Sequence, residues 1–328
     1  MRARFVLAAC AATVYGGLVI AQGGGGKHLN PLIELHQQKK PVFGLYAPSN
    51  PRSNQGAPQV GTPKSVAELA KDAATYDKSD FVFSGTMERS VERGLPAFTE
   101  FVNALMTAAP TADARWRHPL SVKTEKIAAD PAKAVQNISQ QLNLGVSTVV
   151  FVGVESADEV KTGLAAMRFK SKGGTRPDAV GSAPAYWGMD EKQYREKADV
   201  WPLNPNGELT NWTIVESKEG LAHVREIAAV KGISVLFPGA GTLRGVFSPI
   251  GADGRPAFDE QGWEAAVQQV LAACKEFNVP CGYPATATDI EARMKQGFSV
   301  FVINWGDQGF KAVDIGRAAG GRSEGDNK

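Results

Sequence analysis

At 328 residues, with 43% hydrophobic and 21% charged residues, the chain has room for one large α/β barrel or two smaller domains around a substantial core. A formal charge of +2 leaves no basic field and excludes a general nucleic-acid binder. Three cysteines, without a CxxC pair or a Cys/His cluster, give no signature of structural zinc.

The N-terminus predicts export. Met1-Arg2-Ala3-Arg4 is a short basic segment, Phe5 to Ile20 is apolar, and Val19-Ile20-Ala21 is a small-residue cleavage site before Gln22. Residues 1–21 therefore read as a signal peptide, and after cleavage no stable membrane insertion is expected. Attachment of lipid at Cys10 is a weaker alternative, because the apolar segment before it is short. An uncleaved anchor is the other alternative. Losing Arg2 and Arg4 would balance the remaining basic residues against the 34 acids.

Gly23 to Gly26 then form a spacer, and the 22–40 segment continues into a short helical pattern around Asn30, Leu32, Ile33 and Leu35. The first strand is Pro41 to Tyr46. A loop rich in Pro, Gly, Ser and Asn over 49–64 is long enough to suspect a function. Ser65 to Glu68 is a capping box that opens a helix through about Ala74. Strand two covers Asp80 to Phe83, a helix Val91 to Ala108, and strand three Leu120 to Lys123. Asp130-Pro131 starts the next helix with cap and first-turn proline in place.

Thr148 to Val152 is a buried strand, followed by a helix from Ser156 to Phe169. Residues 170–208 break the rhythm as a long insertion, with a short helix over Asp190 to Ala198. Trp212 to Val215 is strand five and ends on Glu216. One amphipathic helix is expected next, with Leu221, Val224, Ile227, Ala228 and Val230 on one face. Strand six, Ile233 to Phe237, ends in the small-residue turn Pro238-Gly239-Ala240-Gly241-Thr242. A helix over Gln261 to Phe277 leads to strand seven, Val279 to Tyr283. Thr288 to Glu291 reads as a capping box, and Phe298 to Ile303 is the last strand. A final helix runs from about Phe310 to Ala319, and 320–328 is expected to be a disordered tail.

Eight strands alternating with helices, without a compositional break, predict a (β/α)8 barrel over 41–319 with its insertion after the fourth strand–helix pair. An open doubly wound sheet is less favoured, because no G-x-G-x-x-G turn is present. Cys274 and Cys281 are read as two buried free thiols, a disulfide being allowed but not shown by spacing.

In such a barrel the loops after the strands form the site. The acids there are Glu88, Glu125, Glu155, Glu216 and Asp307. Each could instead be a helix N-terminal acid favoured by the macrodipole, a reading that suits Glu155 best. Several carboxylates at one mouth suit a hard cation such as Mg²⁺ or Mn²⁺, or a glycosidase pair. None of the four histidines ends a strand, which argues against a Ser-His-Asp hydrolase. Lys123 faces either the interior or the helix layer, and its functional role would be a cation for a carboxylate or an enolate. Trp305 would line the mouth or pack under the last helix.

The segment VFVGVESADEVKTGLAAMRF at 150–169, Gly174-Thr175-Arg176, Ile214 to Gly220, Ile227 to Ile233 and Phe237-Pro238-Gly239 together resemble the HpcH/HpaI aldolase and citrate lyase β-subunit family. The likeness is best from Thr148 to Phe247 and weaker over the rest of the barrel. It implies metal-assisted carbon–carbon lyase chemistry on an oxo-acid or related carbonyl compound, and often assembly into a homo-oligomer through the last helix. Of the two acids that hold the family's metal, one falls on Glu216 and the other on Thr242, which is not a carboxylate. The catalytic histidine segment after strand two is represented by Gly85 to Arg89, with Glu88 as its acid. The arginine that holds the substrate carboxylate has Lys123 or Lys126 in its place, and the proline after strand four is Gly153. The expected site is thus Glu88 and Lys123 for catalysis, Gly153, Gly239, Ala240, Thr242 and Trp305 for substrate, and Glu216 for metal. The alternatives are an exported barrel that binds a small carbonyl or carboxylate ligand without turning it over and, least favoured, a hydrolase using two of the strand-end acids.

Overall fold

A computed structural model describes residues 27–50, 62–251 and 254–323. The expected signal peptide, the Gly23 to Gly26 spacer and most of the 49–64 loop lie outside these residues. Among the described residues no helix is long and apolar enough to cross a membrane.

Eight parallel strands alternate with helices: β1 (Val42–Tyr46), β2 (Val82–Ser84), β3 (Leu120–Lys123), β4 (Thr148–Phe151), β5 (Thr210–Val215), β6 (Val235–Pro238), β7 (Gly282–Pro284) and β8 (Val300–Ile303). Their order in the sheet is β6-β5-β4-β3-β2-β1-β8-β7. A parallel bridge between Leu236 and Cys281, with the Leu236 amide donating to Pro280 O at 3.0 Å, joins the two ends and closes the barrel. The (β/α)8 expectation is met.

Strand periodicity explains what fills it. Alternate residues point to opposite faces, so Phe81 and Phe83, Val150 and Val152, Trp212 and Ile214, Val235 and Phe237, and Val300 and Val302 form the inner cluster. Their outward neighbours pack under the helices in a second cluster. Helix Pro31–Gln37 adds Leu32 and Leu35 to the inner cluster next to Val42, so the N-terminal arm plugs one end of the barrel. That arm is anchored, because the fully buried Glu208 carboxylate accepts from the Leu29 and Asn30 amides at 3.1 and 3.0 Å.

Several local expectations change. The helix after β5 is two short pieces, Lys218–Ala222 and Val224–Ala228, meeting at His223, although Leu221, Val224, Ile227 and Ala228 are buried as the pattern required. The capping box at Thr288 is absent: Asp289 Oδ1 instead accepts from Thr286 N and Oγ1, at 2.7 and 2.8 Å. Cys274 and Cys281 form a disulfide, correcting the free-thiol reading; the chain's turn after helix Glu260–Glu276 brings their Cα atoms to 5.6 Å. The tail is placed through Ser323, because Arg322 reaches back to the buried Asp80 carboxylate at 2.8 and 3.1 Å.

The 170–208 insertion is ordered around aromatic rings. Trp187 meets Trp116 and Tyr194 edge-on at 4.9 and 4.8 Å between centroids. The fully buried Arg176 lies over the Phe169 ring at 4.3 Å and donates to Asn143 and Tyr194.

Candidate active site

The strand C-termini open on a cavity of about 190 Å³. Its wall is apolar and aromatic, with Phe83, Val150, Trp212, Ile214, Phe237 and Val302 among its residues. Three polar side chains, Lys123, Glu216 and Thr242, enter it together with Tyr46. A larger groove of about 610 Å³ lies at the opposite end beside the N-terminal arm. The smaller cavity is the better candidate, because chemistry in parallel barrels is built from the loops after the strands.

Each polar group is placed by its strand. Lys123 ends β3 on the inward face and donates to Glu88 Oε2 at 2.9 Å, its side chain only 15% exposed. Glu88 comes from the loop after β2. Glu216 follows β5 two residues after the inward Ile214, so the same alternation turns it into the cavity. Burial pushes its carboxyl above the usual carboxylate range. Hydrogen bonds from the Thr242 side chain and the Gly153 backbone, and the Lys123 charge, pull the other way, while the Glu88 charge adds to the rise. Burial also raises the Tyr46 hydroxyl, which senses both Lys123 and Glu88.

Two glycines are needed where they stand. A Cβ on Gly239 would lie 2.4 Å from Glu216 Cβ and 2.6 Å from its Oε2, so only glycine lets β6 pass this carboxyl. Gly153 has a φ of +58°, a left-handed conformation that brings it against Glu216 and Lys126. Ala240 and Thr242 sit on helix Ala240–Val246, which starts directly after Gly239.

The structure therefore brings together Lys123, Glu88, Glu216, Gly153, Gly239, Ala240 and Thr242. Trp305 stands apart: it packs edge-on to Tyr76 and Phe310 and does not line the cavity. The other strand-end acids do not line the cavity either. Glu155 pairs with Lys126 at 2.7 Å and accepts from Ser217 at 2.8 Å, and Glu125 accepts from the Val91 amide and from Lys133. Asp307 is the first residue of helix Asp307–Ala319. The aromatic wall, Tyr46, Phe83, Trp212 and Phe237, was not singled out from sequence, although inward alternation along the strands carries the signal. Trp212 is fully buried, and its indole N–H has no hydrogen-bond partner among the described residues.

The donor set does not fit a resident divalent ion. Mg²⁺ and Mn²⁺ are held by several hard oxygen ligands, with carboxylates balancing their charge. The cavity offers one carboxyl, Glu216, and at the second expected ligand position the hydroxyl of Thr242, already bonded to that carboxyl. Among the described residues no three His, Cys, Asp or Glu side chains gather as a metal site.

Comparison with known proteins matches the sequence and the fold to a family. Residues 122–312, more than half of the chain, match the profile of the HpcH/HpaI aldolase/citrate lyase family. A 2-dehydro-3,6-dideoxy-6-sulfogluconate aldolase of Pseudomonas putida is 26% identical over 169 residues, which cover 51% of this chain and 60% of that one. A hydroxypyruvate/pyruvate aldolase of Sagittula stellata is 29% identical over 145 residues, 44% of this chain and 52% of that one. The chain thus spans between half and two thirds of the length of these relatives. In fold it is similar to an HpcH/HpaI aldolase/citrate lyase family protein from Burkholderia cenocepacia, with a TM-score of 0.61 at 20% identity over 88% of this chain and 96% of that one. It is also similar to an HpcH/HpaI aldolase from Desulfitobacterium hafniense, with a TM-score of 0.58 at 16% identity over 88% and 94% of the two chains. The chain belongs to the HpcH/HpaI aldolase/citrate lyase family.

Proposed function

We propose that the protein is a carbon–carbon lyase of the aldolase type, acting on a small 2-oxo acid or related carbonyl compound. The observation that carries this reading is the cavity at the strand C-termini, where the Lys123 side chain and the half-buried Glu216 carboxyl share one lining, with Glu88 behind Lys123 at 2.9 Å and outside that lining. The aldolase names of the curated relatives agree with it. A volume of about 190 Å³ suits a compact metabolite, since drug-sized ligands fill roughly 300–1,000 Å³.

In this reading Lys123 steadies the substrate carboxylate, and Glu88 takes the proton from the hydroxyl of the carbon that leaves. Glu216, fixed by hydrogen bonds from Thr242 and the Gly153 amide, accepts from a substrate hydroxyl and so orients the substrate against the wall. The apolar lining excludes water from the reacting centre. A panel of 4-hydroxy-2-oxo acids, assayed with and without added Mg²⁺ or Mn²⁺, tests it. Release of an aldehyde and a 2-oxo acid is expected, with Glu216→Gln and Lys123→Met each at least about 100-fold slower. Absence of cleavage under every condition would refute it.

Thr242 at the second acid position favours one other reading, a barrel that binds the ligand without turning it over. Stabilisation by a 2-oxo acid in a thermal-shift assay, without cleavage, would establish that reading instead. Residues 1–21 are proposed to direct export, which N-terminal sequencing of secreted or periplasmic protein starting at Gln22 would test. Light scattering of the purified chain would test assembly through its last helix.

A further inference from the structure

We propose that Lys123 takes the place of the divalent cation: its ammonium, held by Glu88, carries the negative charge that develops on the C2 oxygen of the substrate, and the site works without metal. This rests on the aldolase reading above and goes beyond it in naming the electrophile.

Charge balance is the first argument. Three lysines pair with three of the five strand-end acids: Lys123 with Glu88 at 2.9 Å, Lys126 with Glu155 at 2.7 Å, and Lys133 with Glu125 at 3.0 Å; of the other two, Asp307 does not line the cavity. A divalent ion would have to displace one of these ammonium groups or rest on Glu216 alone. Thr242 supplies a hydroxyl where a second negative ligand would stand.

Position is the second argument. Lys123 lines the cavity, on the strand two places from β5, which carries Glu216. Its side chain is largely shielded from water among Tyr46 and the aromatic wall. A cation in such a medium acts on a nearby oxyanion far more strongly than it would in water. An ammonium has three N–H donors. One is used by Glu88, and two remain for the adjacent carboxylate and C2 oxygens of a 2-oxo acid.

The step then balances without a co-reactant. Glu88 accepts the C4 hydroxyl proton as the C3–C4 bond breaks and the aldehyde forms. The bonding pair becomes the enolate, with its charge on the C2 oxygen at Lys123. The proton returns to C3, giving the shorter 2-oxo acid. Glu88 Oε2, accepting from Lys123 Nζ at 2.9 Å, fixes the direction in which the lysine presents its remaining donors.

Exchange of the pyruvate methyl protons for deuterium, followed by NMR, reports enolate formation without requiring the natural aldehyde. With the full purified protein dialysed against chelator, exchange is expected within about twofold of the rate with added Mn²⁺. Lys123→Met should lose at least about 100-fold with or without Mn²⁺, while Lys123→Arg, still a cation, keeps a measurable part. Circular dichroism and melting temperature check that each variant is folded. Titration with Mn²⁺ followed by electron paramagnetic resonance should show no site that Glu216→Gln removes. Exchange and cleavage that vanish with chelator and return with Mn²⁺ would overturn the proposal and leave the aldolase reading standing. A covalent adduct on Lys123 after pyruvate and borohydride would overturn it in favour of a Schiff base. Absence of exchange and of cleavage in every condition would sink both readings.

Discussion

The docked tail makes a quantitative prediction about stability. Arg322 donates to both oxygens of Asp80, at 2.8 and 3.1 Å, and to the carbonyl of Pro41; Asp80 also accepts from the Phe43 amide at 2.8 Å and from Arg317 at 3.4 Å. Asp80 is 2% exposed and Arg322 6%. Removing one partner of a buried pair strands the other, at about 3–5 kcal/mol. In Arg322→Met the carboxylate keeps Phe43 and Arg317, which places the loss near the lower end, about 3 kcal/mol. For a chain this long that corresponds to a fall in Tm of roughly 6–12 °C. Differential scanning calorimetry of Arg322→Met, Asp80→Asn and the double variant measures both the loss and the coupling. The double variant should be less destabilised than the sum of the singles by at least about 1 kcal/mol. A melting temperature within about 2 °C of the parent for Arg322→Met, or strictly additive singles, would refute the buried pair.

Three other outcomes are expected. Gly239→Ala should push Glu216 aside, costing about 1–3 kcal/mol and at least tenfold in turnover or ligand affinity, whereas Gly241→Ala, whose Cβ would meet nothing within 4 Å, should be close to neutral in both assays. Burial lowers the His36 imidazole from 6.5 to about 4. The unfolded chain therefore takes up this proton first, so stability is full above pH 6.5 and falls as the pH drops towards 4. The loss is at most about 3 kcal/mol, lessened by the open groove that His36 lines, and denaturant midpoints of His36→Phe should lack this limb. Reduction of Cys274–Cys281, which closes a short loop of sequence separation 7, should cost about 2.5 kcal/mol, measured as a shift in urea midpoint with and without reductant.

The barrel was legible because its strands are short apolar runs bounded by clear turn and cap residues, and eight of them in alternation leave few architectures. Glu216 and the glycine turn were legible because they sit at strand ends, a place that one sequence marks. Which way Lys123 points was not: a four-residue strand such as β3 gives too short an alternation to fix its face, and only pairing with β2 and β4 turns it inward. Long-range partners left no local trace. Arg322 lies in a glycine-rich tail, 242 residues from Asp80, and nothing around either residue announces the other. Thr288 had the residues of a capping box, yet Thr286 took the Asp289 carboxylate, a competition between neighbours that pattern cannot rank. Trp305 could serve the mouth or the helix layer, and Tyr76, from a distant helix end, decided the matter.

The two ends of the described chain fasten the barrel at points far along the sequence. Asn30 is held by Glu208, 178 residues later, and Asp80 waits for Arg322. During vectorial synthesis helix Pro31–Gln37 therefore emerges ahead of the strands it will plug but without Glu208 to anchor it, and Asp80 emerges long before Arg322. Such sequence-distant fastening slows folding and keeps early intermediates open. A chain cut before Arg322 would therefore leave Asp80 without the Arg322 guanidinium, however complete its eight strands.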